Sequence, residues 1–170
     1  MIKLISSSLI IFCILLISSC QQSNEEQLTA NKELIKKFTE LLNHKQFDQL
    51  NTVMRQDFKR HSQATAEMPK LNSLDEFIKL QEGFLSSISD QKVTIEKLIT
   101  EGDYVAAFAT YSGTNDGSLP PFPATNKYVE LKFLSLFRIE EDKIAEMWVE
   151  WDNIAFLSQL GLFPPPEAEK

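Results

Sequence analysis

Cysteine and histidine are scarce in this 170-residue chain, at two each. Both cysteines, Cys13 and Cys20, fall within the first twenty positions, so the rest of the chain has no thiol for a disulfide or a metal and depends on its core alone. The two histidines, His44 and His61, are too few for a closed zinc site without cysteine, and no metal ligand set is expected. Positive charge is also in deficit: 17 Lys and Arg stand against 24 Asp and Glu, a formal net charge of −7. A chain of that sign repels nucleic acid and anionic headgroups, which excludes nucleic acid as a partner. No internal repeat is visible.

One long apolar run is present, at the N-terminus. Lys3 supplies a positive charge, residues 4–19 an apolar stretch, and small residues precede Cys20. The run is short for a membrane span and lacks a basic stop-transfer flank. Ile17, Ser18, Ser19 and Cys20 resemble the bacterial lipobox. That resemblance implies cleavage before Cys20, lipidation of its thiol, and a lipoprotein held to a membrane of the bacterial cell envelope on its periplasmic or surface side. The chain then divides into a signal peptide (1–19), a lipidated cysteine with a polar tether (20–30), one domain (31–163) and a Pro-rich tail (164–170).

Leu34, Ile35, Phe38, Leu41 and Leu42 fall on one face of a helix. Phe47, Leu50, Val53 and Met54 suggest a shorter second helix ending near Arg55, and residues 62–72 read as loop. Ser73 with Glu76 has capping-box spacing ahead of a third helical stripe running from Leu74 to Ile88. From Lys92 the period changes to that of strands, with a turn at 101–103 and a second strand over 104–114. Residues 115–126, rich in Pro, Asn and Asp, form a long loop; strands follow over 128–139 and 144–151 around a polar turn. Asn153 to Leu160 reads as a last helix that Gly161 ends. Helices first and antiparallel strands afterwards indicate an α+β domain with helices covering a curved sheet.

A last hairpin closed by four residues without a bulge pairs Ile139 with Ile144, Phe137 with Glu146, Ser135 with Trp148, Phe133 with Glu150 and Leu131 with Asp152. Acids and aromatics then share one face, while Leu134, Leu136, Met147, Val149 and Trp151 make the other oily. Two assignments stay open. In the first, which is the working expectation, the mixed face lines a pocket and the oily face is covered by a second copy of the chain. In the second, the oily face is the core and the acids are solvated. A single bulge would interchange several positions.

Gly113-Thr114, Thr125, Arg138-Ile139, Glu146, Trp148, Asp152 and Gln159-Leu160-Gly161 together resemble the second half of a SnoaL-like polyketide cyclase of the ester cyclase type, within the nuclear transport factor two-like superfamily. The run Phe58-Lys59-Arg60-His61 and the Phe77 to Phe84 helix extend the resemblance upstream, over about residues 30 to 163. It implies a cone-shaped fold and ring closure by an intramolecular aldol reaction without metal or organic cofactor. By position, Asp152 would be the acid/base, His61 a second pocket group, and Trp148 a wall. Asn115 stands where the family usually has a histidine; it can hydrogen-bond but cannot titrate.

Asp152 as general base needs a raised pKa, whereas an aspartate just before a helix is also a preferred N-cap. Glu146, Asn115, Phe133, Phe137 and Tyr111 complete the candidate pocket residues. Three functions remain open: a cofactor-independent cyclase or isomerase acting on a small apolar carbonyl compound, a non-catalytic binding module of the same fold at the cell envelope, and a purely structural envelope protein. A homodimer through the sheet is the expected assembly.

Overall fold

The structure, a computed structural model, describes residues 24–62, 71–118, 120 and 122–163. The expected signal peptide, the lipidation site Cys20, most of the 62–72 loop and the Pro-rich tail lie outside the described residues.

Helix α1 spans residues 24–43 and buries Ile35, Phe38 and Leu41. Its first turns lie within the expected 20–30 tether: residues 24–30 are helical, with Gln27 Nε2 bonded to Asn31 Oδ1 one turn on (3.0 Å). Buried Asn31 in turn donates to Gly102 O (3.1 Å), fastening the start of α1 to a distant turn. In place of the second helix there is a six-residue 3-10 turn, Phe47–Thr52, followed by strand β1, Met54–His61. Strand β1 lies upstream of residue 92, where the strand period first shows in the sequence. The reason is physical: β1 is an edge strand whose Arg55, Asp57 and Lys59 keep its free side polar, so little apolar alternation shows.

Helix α2, Leu74–Ser87, starts where the capping pattern places it. Ser73 Oγ accepts from Glu76 N (3.2 Å), and Glu76 Oε2 reaches back to Asn72 N–H (2.8 Å), one residue beyond the usual return bond. Strands β2 (Lys92–Glu101), β3 (Tyr104–Thr114), β4 (Tyr128–Glu140) and β5 (Lys143–Trp151) follow, then α3 (Asn153–Leu160). The sheet order is β1-β5-β4-β3-β2, antiparallel except for the parallel β1–β5 pair. The expected α+β fold is present: helices cover one face of a curved, unclosed sheet.

The hairpin register departs from the unbulged one. Glu140 pairs with Lys143 and Ile139 with Ile144, around a two-residue turn in which Glu141 and Asp142 both have positive φ, as a type I′ turn requires. Ala145 is then skipped in the ladder, and beyond this bulge Arg138 pairs with Glu146, Phe137 with Met147, Ser135 with Val149 and Phe133 with Trp151. The consecutive burial of Ile144 and Ala145 marks the same irregularity. One extra residue moves every later side chain of β5 to the opposite face. The inner face therefore carries Phe133, Ser135, Phe137, Met147, Val149 and Trp151, while Leu134, Leu136, Glu146, Trp148 and Glu150 point outward.

Phe38 and Phe137 meet edge-on at 5.7 Å between ring centroids, and Phe58 and Phe77 at 5.3 Å, which ties α1, α2 and the sheet into one core. At the other end, Gln159 exchanges two 2.9 Å hydrogen bonds with the backbone of Glu130, where β4 extends past its pairing with β5. Leu160 is buried and Gly161 adopts φ +74°, so this Gln-Leu-Gly run ends α3 and docks it on the sheet.

Candidate functional site

In the middle of the inner face, Ala107 pairs with Ser135, which pairs with Val149, and Ala109 pairs with Phe133. Ala107, Ala109 and Ser135 carry small side chains, and a cavity of about 510 Å³ opens above them. Phe38 and Leu42 of α1, Phe77 and Phe84 of α2, and Phe156 and Leu157 of α3 form its walls. Pro120 and Phe122, from the loop between β3 and β4, contribute to the lining too. This is the size and character of a small-molecule site: mostly apolar, with a few fixed polar groups.

Most of those polar groups already serve the fold. Asn43 holds both the N–H and the carbonyl of Val93 at 2.8 Å, and Thr39 donates to Ile35 O at 2.9 Å. Tyr111 donates to Gln91 Oε1 (3.2 Å), and burial, reinforced by the charge of Asp90, pushes its hydroxyl well above the ordinary value. Ser135 differs. It is 3% exposed, and its Oγ has no hydrogen-bond partner among the described residues. A buried hydroxyl in that state costs about 1–3 kcal/mol.

Arg60 is buried in the lining as well. It is 4% exposed, its guanidinium carbon lies 5.6 Å from the centre of the Trp151 ring, and it lines the cavity. Burial lowers its pKa to about 10, with attraction to Glu150 acting the other way, so it carries its charge at neutral pH. Lys92 adds a second cation to the lining, and among the described lining residues there is no carboxylate and no imidazole. Nor do the described residues hold any group of three His, Cys, Asp or Glu able to bind a metal ion.

The sequence-derived candidates separate into four places. Tyr111, Phe133 and Phe137 line the cavity. His61, Glu146 and Trp148 gather on the outer face, where His61 stacks on Trp148 (5.1 Å, 14°) and lies 2.7 Å from Glu146 Oε1. Arg138 Nε donates to the second oxygen of Glu146 at 3.0 Å. The expectation that Glu146 and Trp148 face the pocket is thus corrected, and the Ala145 bulge is the cause. Asn115 is fully buried behind the cavity wall. Its Nδ2 donates to Ser87 O (3.0 Å) and Gly117 O (2.8 Å), and its Oδ1 accepts from Thr125 N and Oγ1 (2.9 Å each). It fixes the loop that carries Pro120 and Phe122. Gly117 is packed so close beneath that a Cβ there would lie 1.8 Å from Ser86 O. Asp152 is exposed and caps α3 by accepting from Ala155 N at 2.9 Å; its neighbours Trp151 and Asn153 line the cavity, but Asp152 itself does not.

Arg60 and Ser135 are lining residues that are not among the sequence candidates. Strand alternation carries their signal, since Arg60 lies two residues from Phe58 and Ser135 between Phe133 and Phe137, so both share an inward face with large aromatics.

A family model described as SnoaL-like polyketide cyclase matches residues 32–160. A search of curated proteins gave no match. Among solved structures, AclR from Streptomyces galilaeus, a proposed hydroxylase, is similar at 22% identity and TM-score 0.70, covering 81% of this chain and 99% of its own. IdmH from Streptomyces antibioticus, a proposed polyketide cyclase, is 24% identical with TM-score 0.68, over 77% and 98% of the two chains. A proposed SnoaL-like polyketide cyclase from Jannaschia sp. CCS1 reaches TM-score 0.71 at 19% identity, over 81% and 94%.

Proposed function

The chain belongs to the SnoaL-like polyketide cyclase family, and on that premise we propose that it binds a small apolar carbonyl compound in the cavity between sheet and helices. The observation that carries this reading is the cavity itself: about 510 Å³, aromatic-walled, with no carboxylate or imidazole among its described lining residues. A binding role needs only that enclosure, whereas acid/base chemistry needs a titrating group within hydrogen-bond reach of the substrate. A second reading, cofactor-independent aldol-type cyclisation or isomerisation, has one observation in its favour: Asp152 sits between two lining residues, Trp151 and Asn153. A thermal-shift screen of the full-length chain against apolar ketones and aromatic carbonyl compounds, followed by turnover assays on the hits, tests both. Stabilisation without turnover supports the binding module; turnover abolished by Asp152→Asn supports the enzyme. No stabilisation by any compound would sink both.

The assembly and the location are part of the same proposal. Leu134 (58% exposed), Ile99 (57%), Leu136 and Phe108 expose apolar surface on the outer face, which supports a homodimer closed through the sheet. Leu134→Lys should convert it to a monomer in sedimentation velocity. The Ile17 to Cys20 pattern supports lipid anchoring at the cell envelope, and Cys20→Ala should release the protein from membranes.

A further inference from the structure

Resting on the cavity reading above, we propose that Ser135 is the polar anchor of the site and that the ligand is a neutral internal ketone, its carbonyl set within the skeleton between two apolar arms. Strand β4 is the central one of the five, and Ser135 stands on its inner face with Ala107 of β3 on one side and Val149 of β5 on the other. Phe133 and Phe137 precede and follow it on the same face. None of these four neighbours has a side-chain group that can hydrogen-bond. Ser135 is 3% exposed, and its Oγ has no hydrogen-bond partner among the described residues. The fold by itself would be better served there by alanine, the residue at the adjacent positions 107 and 109, because an unpaired buried hydroxyl is destabilising.

The chemistry of the ligand follows from what that hydroxyl lacks. It has one proton to donate, and an acceptor oxygen on the ligand would take it. Three other polar side chains of the lining are engaged within the protein: Asn43 with the backbone of Val93, Thr39 with Ile35 O, and Tyr111 with Gln91. A lone donor matches a neutral carbonyl oxygen, whereas an ionised group asks for several donors at once. The place of the oxygen follows from the strand. Residues two apart along β4 are separated by roughly 7 Å, so the Phe133 and Phe137 side chains flank the hydroxyl at that spacing. Apolar surface extends to both sides of Ser135, and an oxygen that meets it lies inside the ligand rather than at its tip.

Titration calorimetry of the full-length chain with three probes tests this: benzophenone, its isomer biphenyl-4-carbaldehyde with the carbonyl at the tip, and diphenylmethane, which has no oxygen. Ser135→Ala should weaken benzophenone about fivefold or more, while diphenylmethane and the aldehyde stay within about twofold. The carbonyl stretch of bound benzophenone should lie at lower frequency in the wild type than in Ser135→Ala, a signature that a packing role would not produce. Without ligand, Ser135→Ala should unfold at a temperature no lower than the wild type. An equal change for benzophenone and diphenylmethane, or a carbonyl stretch that the substitution does not move, would overturn the inference and leave the cavity reading intact. So would a Ser135→Ala protein that is less stable or does not fold, since the hydroxyl would then serve the fold. A loss for the aldehyde as large as that for benzophenone would overturn the internal position of the carbonyl. Absence of binding by all three probes would remove the cavity reading and this inference together.

Discussion

Nε2 of His61 lies 2.7 Å from Oε1 of Glu146, on the face of the sheet turned away from the cavity. The contact exists because β1 pairs in parallel with β5, setting His61 opposite Trp148 and Lys59 opposite Glu146. Burial pushes the Glu146 carboxyl upward, but hydrogen bonds from His61 and Arg138, with the Arg138 charge, outweigh it and hold the pKa below the ordinary value. The stabilisation this carries is complete above the unfolded-state value of about 4.3 and is lost as pH falls through the lower folded-state value. Glu146→Gln should therefore flatten the fall in stability below about pH 4.3, measured by urea unfolding across a pH series. His61→Ala should leave cavity affinity within about twofold, since effects of distant, independent sites add with little coupling.

Asp152 offers a way to separate a cap from a catalyst. Its carboxylate accepts from Ala155 N at 2.9 Å, so Asp152→Ala should cost about 1 kcal/mol in thermal or urea unfolding, whereas Asp152→Asn, an equally good N-cap, should cost only a few tenths. If Asp152→Asn keeps stability and also keeps ligand affinity, the residue acts through the helix.

Asn115 is a structural residue, and its amide nitrogen is what the site needs. Both of its Nδ2 bonds run to carbonyls, Ser87 O and Gly117 O. Asn115→Asp removes both donors and buries a charge, so a loss of about 3 kcal/mol or more is expected in equilibrium unfolding. Ligand affinity should fall with it, because Pro120 and Phe122 ride on the loop that Asn115 fixes.

Helices α1, α2 and α3, the two hairpin turns and the caps at Ser73, Asp152 and Gly161 are legible in the sequence because each rests on local chemistry: helical periodicity, turn residues, side-chain oxygens and a left-handed glycine. Two things are not. Strand β1 depends on a long-range parallel pairing with β5 and buries only Met54, Phe58 and Arg60 along a polar edge, so no local period announces it. The bulge at Ala145 changes the pleat by one residue, and the residue types around it fit either register. That single irregularity exchanges Trp148 for Trp151 and Glu146 for Met147 at the cavity, while Phe133 and Phe137 on β4 keep the face that strand alternation gives them.

The two tryptophans thus report on opposite faces, Trp151 in the cavity lining and Trp148 stacked on His61 outside it. In full-length protein labelled with 5-fluorotryptophan, the two fluorine resonances can be assigned with Trp148→Phe and Trp151→Phe. Titration with benzophenone should shift the Trp151 resonance and leave that of Trp148 in place. A shift of Trp148 with Trp151 stationary, or no shift of either at saturating probe, would contradict a ligand site on the inner face of the sheet.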